Sequence, residues 1–241
     1  MNARAFILMV CVILAGCEPP HRVVTYSAMS ADQSVRIFQD RLRSIRNVSA
    51  QGTVTLQKSG GDDIQLDVAM VIDSAAKARL RAWKMGQAVL DLTLTPSGLW
   101  AVLPSQGPQA SGEAIAKSMR QWLGILLGTI DNSAWTATEN GPILILNQKL
   151  ENGSTIICEV NRKTITANRY VLLNRAGKQL FSLVLSNYAE FNGIAWPKHM
   201  EAISPTGKIE IDLQDVQING ELPPKAFRPP SRAQKLPETS S

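Results

Sequence analysis

From Ala50 to Ile218 the chain alternates apolar and polar residues with a period of two, and a turn former separates almost every alternating segment from the next. Successive side chains on a strand point to opposite faces, so the pattern predicts half-buried strands in hairpin succession. Gly52, Val54 and Leu56 begin the series, and Ser59-Gly60-Gly61-Asp62 reads as the first turn. Ile64, Leu66, Val68, Met70 and Ile72 then share one face, with Gln65, Asp67 and Asp73 on the other. A third strand sets Ala78, Leu80 and Ala82 against Lys77, Arg79 and Arg81; Trp83 and Met85 fall out of phase, which predicts a bulge after Ala82. A fourth sets Ala88, Leu90, Leu92 and Leu94 against Gln87, Asp91, Thr93 and Thr95, and Leu92 is expected to be tightly packed. Leu99 to Leu103 is a short fifth.

Strands resume over about 134–139, 143–149, 155–161, 166–174, 179–188, 194–203 and 208–218, separated by Asn140-Gly-Pro, Glu151-Asn-Gly, Asn174-Arg-Ala-Gly, Phe191-Asn-Gly and Ser204-Pro-Thr-Gly. In the last of them Ile209, Ile211 and Leu213 face one way and Val216 and Ile218 the other, which places a second bulge near Gln214. A sheet of roughly eleven or twelve strands does not stay flat and open, so it must curl strongly or split into two.

Two segments have a helical period instead, one ahead of the alternating stretch and one within it. Between Ala31 and Arg46, Val35, Phe38, Leu42 and Ile45 form one stripe, with Arg36, Arg41, Arg43 and Arg46 mostly elsewhere. Between Gln109 and Gly128, Ile115, Met119, Trp122, Leu123, Leu126, Leu127 and Ile130 form a stronger one, and Gly128 is placed to end the helix. The stripe either packs on a filled core or covers a sheet wider than it can fill, lining an apolar pocket.

The first residues address the chain. Arg4 precedes an apolar run from Ala5 to Ala15 that is shorter than the ~20 residues of a membrane-spanning helix, and the run ends in Leu14-Ala15-Gly16-Cys17. That sequence looks like a bacterial lipobox, which would cleave residues 1–16 as a signal peptide and leave Cys17 diacylated at the mature N-terminus. Several acyl chains anchor a protein durably at ~0.8 kcal/mol per buried CH₂. Residues 17–30 are then a lipidated tether, 31–221 a single domain, and the Pro-rich 222–241 an extended strap or tail. Cys11 leaves with the leader and Cys17 is lipidated, so Cys158 has no disulfide partner. Its alternation with Ile156 and Val160 makes it a buried thiol.

Chemistry has little to stand on. The two His are His21, in the tether, and His199, isolated beside Lys198; no metal-spaced Cys/His set, phosphate loop or nucleophile elbow occurs. Asp62-Asp63 sits where water holds both carboxylates ionised. No catalytic residue, metal or cofactor is expected. The charge of +5 is too small and too dispersed for nucleic acid. Lys77, Arg79 and Arg81 share a face that could meet anionic headgroups or simply water. Trp83, Trp100, Trp135 and Trp196 read as core fillers or cavity walls.

The order of lipidated terminus, leading helix, five strands, second helix and further strands resembles the LolA/LolB superfamily of periplasmic lipoprotein carriers and outer-membrane lipoprotein receptors. Leu80-Arg81-Ala82-Trp83 through Asp91-Leu92-Thr93-Leu94, and Ser97-Gly98-Leu99-Trp100 after it, look like the part of that family where one strand turns into the next. Asn219-Gly220-Glu221-Leu222-Pro223, with Phe227 and Pro229, is similar to the ending of related lipoproteins. The resemblance implies a mostly β (α+β) fold: a strongly curved antiparallel sheet forming an unclosed β-barrel, covered by two amphipathic helices, around an apolar cavity that accepts acyl chains. Its receptor branch is lipidated and carries an exposed apolar loop. The implied role is a membrane-anchored, non-enzymatic lipoprotein that binds lipid or the acyl chains of lipoproteins, in lipoprotein sorting. The implied place is the periplasmic side of the cell envelope, at the outer rather than the inner membrane. Ile115, Met119, Trp122, Leu123, Leu126 and Leu127 are then the cavity-lining candidates. The competing reading is a structural or interaction lipoprotein with a filled core and no transfer activity.

Overall fold

Among the described residues the alternating stretch gives twelve strands, and a short C-terminal one completes a single thirteen-stranded antiparallel sheet. The computed structural model describes residues 25–26, 29–58, 63–102, 112–128, 135–205 and 207–236, without the side chains of 58 and 112–118. Cys17, the 59–62 turn, Leu103, Ile130 and the Ile115 side chain lie outside that description. The strands are β1 (Val48–Lys58), β2 (Ile64–Ser74), β3 (Lys77–Lys84), β4 (Gln87–Thr95), β5 (Gly98–Val102), β6 (Thr136–Asn140), β7 (Ile143–Lys149), β8 (Thr155–Asn161), β9 (Thr166–Leu173), β10 (Gln179–Phe191), β11 (Ile194–Ser204), β12 (Gly207–Ile218) and β13 (Gln234–Lys235). Helix α1 (Ala31–Arg43) precedes them, and α2 (Gly112–Leu127) separates β5 from β6.

Two meanders, β1–β5 and β6–β12, join where β1 pairs with β12, and β13 adds to the free edge of β5. The order runs from β13 to β6 without returning on itself, so the barrel is unclosed. Strands far apart in that order, such as β2 (Met70, Ile72), β7 (Leu144, Leu146) and β8 (Ile156, Cys158), share one buried cluster. Only a strongly curved sheet brings them together. Helix α1 packs on β6, and α2 packs on β2, β5 and α1.

Both expected bulges are present. The β3–β4 register shifts between Ala82 and Trp83. In β12, Gln214 is skipped between Gly52↔Leu213 and Gln51↔Asp215. Ser30 caps α1 through a Ser-x-x-Gln box with Gln33. The helix stops at Arg43 instead of Arg46 because Asn219, beyond β12, captures the turn that follows: its amide donates to the Ser44 carbonyl (2.8 Å) and its Oδ1 accepts from the Arg46 N–H (2.6 Å). Gly128 ends α2 at φ +64°, and a Cβ there would meet Leu42 of α1 at 2.7 Å. Arg41 does not face water. Its guanidinium donates to the Thr164 and Ile165 carbonyls (both 2.9 Å) and to the Tyr26 hydroxyl (2.8 Å), drawing Tyr26 of the expected tether onto the domain.

Cys158 is fully buried among Ile156, Val160 and Tyr170. Burial pushes its thiol up, and burial likewise raises the phenols of Tyr170 and Tyr188. The folded state keeps these protons above the values at which an unfolded chain releases them, ~8.5 for Cys and ~10 for Tyr. Their contribution is therefore intact below pH ~8.5 and is lost as pH rises toward the higher folded values. The melting temperature should fall on alkaline titration. At pH 8 Cys158 should resist iodoacetamide until denaturant is added; rapid labelling of the native chain would contradict the packing.

Candidate functional site

The inner face of the β1–β4 half carries the stripe that alternation demands, but α2 does not press flat against it. Between them lies an apolar cavity of about 540 Å³. The sheet supplies Val54, Leu66, Val68, Met70, Ile72, Leu80, Ala82, Leu90 and Leu92, and the β11–β12 side adds Met200, Ile209 and Ile211. Helix α2 roofs it with Met119, Trp122, Leu123 and Leu126. Among the described residues every residue lining it except Arg79 is apolar, and the Arg79 side chain belongs to the other face of β3, where its guanidinium is bonded to Asp91.

Four of the six stripe residues are thus brought together over one cavity. Leu127 is a correction: one residue beyond Leu126 on a helix is a turn of about 100°, and it is buried in the main core instead of the cavity wall. The C-terminal half of α2 is buried on several sides at once, Ile125 included, because α1 lies against it. Leu92, expected to be packed, is buried in the main core cluster and also borders the cavity from the sheet, while Leu144 and Leu146 are fully buried away from it. Among the four other tryptophans, Trp196 is a core filler and none lines this cavity.

A second space of about 480 Å³ adjoins the first. It is walled by Leu180, Phe181, Ala202, Ile203 and Gly207, with the polar Gln57, Gln121, Ser204 and Lys208, and it shares Leu56, Trp122 and Ile209 with the larger one. Exposed apolar residues gather at strand ends near it: Leu180, Ile203, Ile209 and, across β1 and β2, Ile64. The sequence marked these side chains as apolar; which of them border empty space depends on the curvature of the sheet, which no local pattern encodes.

The basic row on β3 is occupied. Arg79 makes a bidentate pair with the buried Asp91 (2.7 and 2.9 Å), while Arg81 stands 3.2 Å from the same carboxylate and over the Trp83 ring. Lys77 pairs with Asp73 at 2.9 Å and lies over Phe227. Arg79 also donates to the carbonyls of Ala226 and Arg228, so this face holds residues 226–228 of the C-terminal segment. His199 is not isolated: Asp212 lies opposite it on β12, 2.7 Å from Nδ1, with Glu210 3.9 Å from Nε2.

Geometry and fold define a class: an unclosed β-barrel with a helix-roofed apolar cavity. A domain of an outer membrane lipoprotein-sorting protein from Vibrio parahaemolyticus superposes with a TM-score of 0.58 at 11% identity, covering 83% of this chain and 97% of that one. A LolA superfamily protein from Nitrosomonas europaea gives 0.53 at 12% identity, covering 83% and 98%. A DUF1329 family protein from Desulfovibrio piger gives 0.53 at 14% identity, covering 82% and 95%. No protein-family model matches the sequence, and no curated protein matches it. The chain has the LolA-like fold.

Proposed function

We propose that this chain is an envelope lipoprotein, acylated at Cys17, that binds acyl chains of lipids or lipoproteins on the periplasmic side of the outer membrane and takes part in lipoprotein sorting without covalent chemistry. The observation behind this reading is the 540 Å³ apolar cavity beneath α2. Its size falls in the ~300–1,000 Å³ range of small-ligand sites, and an acyl chain entering it gains ~0.8 kcal/mol per CH₂ withdrawn from water. A filled-core scaffold would have closed that space with side chains.

Two further features support it. Among the described residues no helix is long and apolar enough to cross a membrane, and the lipobox-like Leu14-Ala15-Gly16-Cys17 supports attachment through acyl chains on Cys17. The β3–β4 hairpin presents one apolar side chain, Met85, 93% exposed at its tip, where the receptor branch's exposed apolar loop would need one.

Intact-mass and native mass spectrometry of the full chain expressed with its leader test both parts together. The expected result is a diacylated chain beginning at Cys17, with modification lost in C17S, and non-covalent acyl species released on lipid extraction. An unmodified, ligand-free chain would favour the scaffold.

A further inference from the structure

Resting on the acyl-binding reading, we infer that Trp122 is a partition between two acyl chambers, and that the occupant is a two-chain lipid moiety seated with one chain on each side. The two spaces, about 540 and 480 Å³, are of similar size, and each alone is large enough for a small apolar ligand. The residues lining both are Leu56, Trp122 and Ile209. Leu56 and Ile209 are direct cross-strand partners in the β1–β12 ladder, so together they form a ridge on the sheet. Trp122 faces the same boundary from α2. Its ring stacks on Phe181 of β10 at 6.3 Å and 18°, and Phe181 lines the smaller chamber only.

The chambers also differ in chemistry. The larger is walled by apolar side chains apart from Arg79, whereas Gln57, Gln121, Ser204 and Lys208, the last paired with Glu201 and Glu210, line the smaller. A ligand whose chains diverge from a shared polar head can straddle the Leu56–Ile209 ridge with its ester groups near those polar residues.

The test uses the full chain in nanodiscs of phosphatidylcholine doped with a phosphatidylcholine bearing a diazirine near the end of each acyl chain. After photolysis and digestion, the wild type should yield single lipids that couple a peptide from β2–β4 to one from β10–β11. Ala202→Phe narrows the smaller chamber and should lower that coupling about tenfold, while adducts on β2–β4 persist. Ser204→Phe, at the rim of the same chamber, gives the same readout should A202F melt early by circular dichroism. Adducts confined to one chamber in the wild type, or coupling unchanged in a folded variant, overturn the partition and leave acyl binding standing. Absence of adducts from both chambers overturns the acyl-binding reading and the partition with it.

Discussion

Gly52→Ala is expected to prevent formation of the native sheet. Gly52 sits where β1 meets the β12 bulge, and a Cβ on it would lie 2.0 Å from the Asp212 carbonyl oxygen and 2.9 Å from the Leu213 Cα. Both obstacles are backbone, held by a ladder that runs eleven residue pairs along the two strands, so no side-chain rotation relieves the contact. Overpacking in a core costs ~1–3 kcal/mol when neighbours can give; here the junction between the two meanders must open, and the loss should exceed that range. Far-ultraviolet circular dichroism and denaturant melts of G52A measure it. A variant melting within 1 kcal/mol of the wild type, taken as roughly the size of an ordinary substitution, would mean that β1 and β12 do not approach as described.

Asp91→Ala should be the most destabilising side-chain change on the outer face. The carboxylate is almost fully buried and neutralises Arg79, whose side chain is 16% exposed, with Arg81 close by. Removing one partner of a buried pair leaves the other uncompensated, a loss of ~3–5 kcal/mol. The same change loosens Arg79 from Ala226 and Arg228, so proteolysis within 222–236 should accelerate. The double replacement R79M/D91L should recover most of the stability, because apolar side chains of similar volume fill such a site without unpaired charge, but not the protease resistance. Equal stability of D91A and wild type would show that the pair is solvated.

Much of this fold is legible in the sequence because its signals are local. A bulge appears as a phase switch, which is why Ala82/Trp83 and Gln214 could be found by inspection. β13 could not. It is two residues, Gln234 and Lys235, with no periodicity of their own, recruited by the open edge of β5, where the Leu236 N–H also donates to the Leu99 carbonyl. The end of α1 depends on Asn219, more than 170 residues away. The Arg79–Asp91 pair is hidden for a similar reason, since its partners meet only once β3 and β4 are in register. For the cavity, alternation told which faces are apolar but not how far α2 stands from the sheet. Hence Leu92 is packed in the core and also borders the cavity, whereas Leu127, a wall candidate by its spacing, lies in the core alone.

Titration of a fluorescent fatty acid into the soluble chain starting after Cys17, alongside Ala82→Phe, tests the central claim most directly. Ala82 is buried on the inner face of β3 and borders the cavity, so a phenyl ring there occupies space meant for ligand. Saturable binding by the wild type, weakened about tenfold or more in A82F with no loss of melting temperature, is the predicted result. No saturable binding by the wild type, or equal binding by a folded A82F, would contradict it.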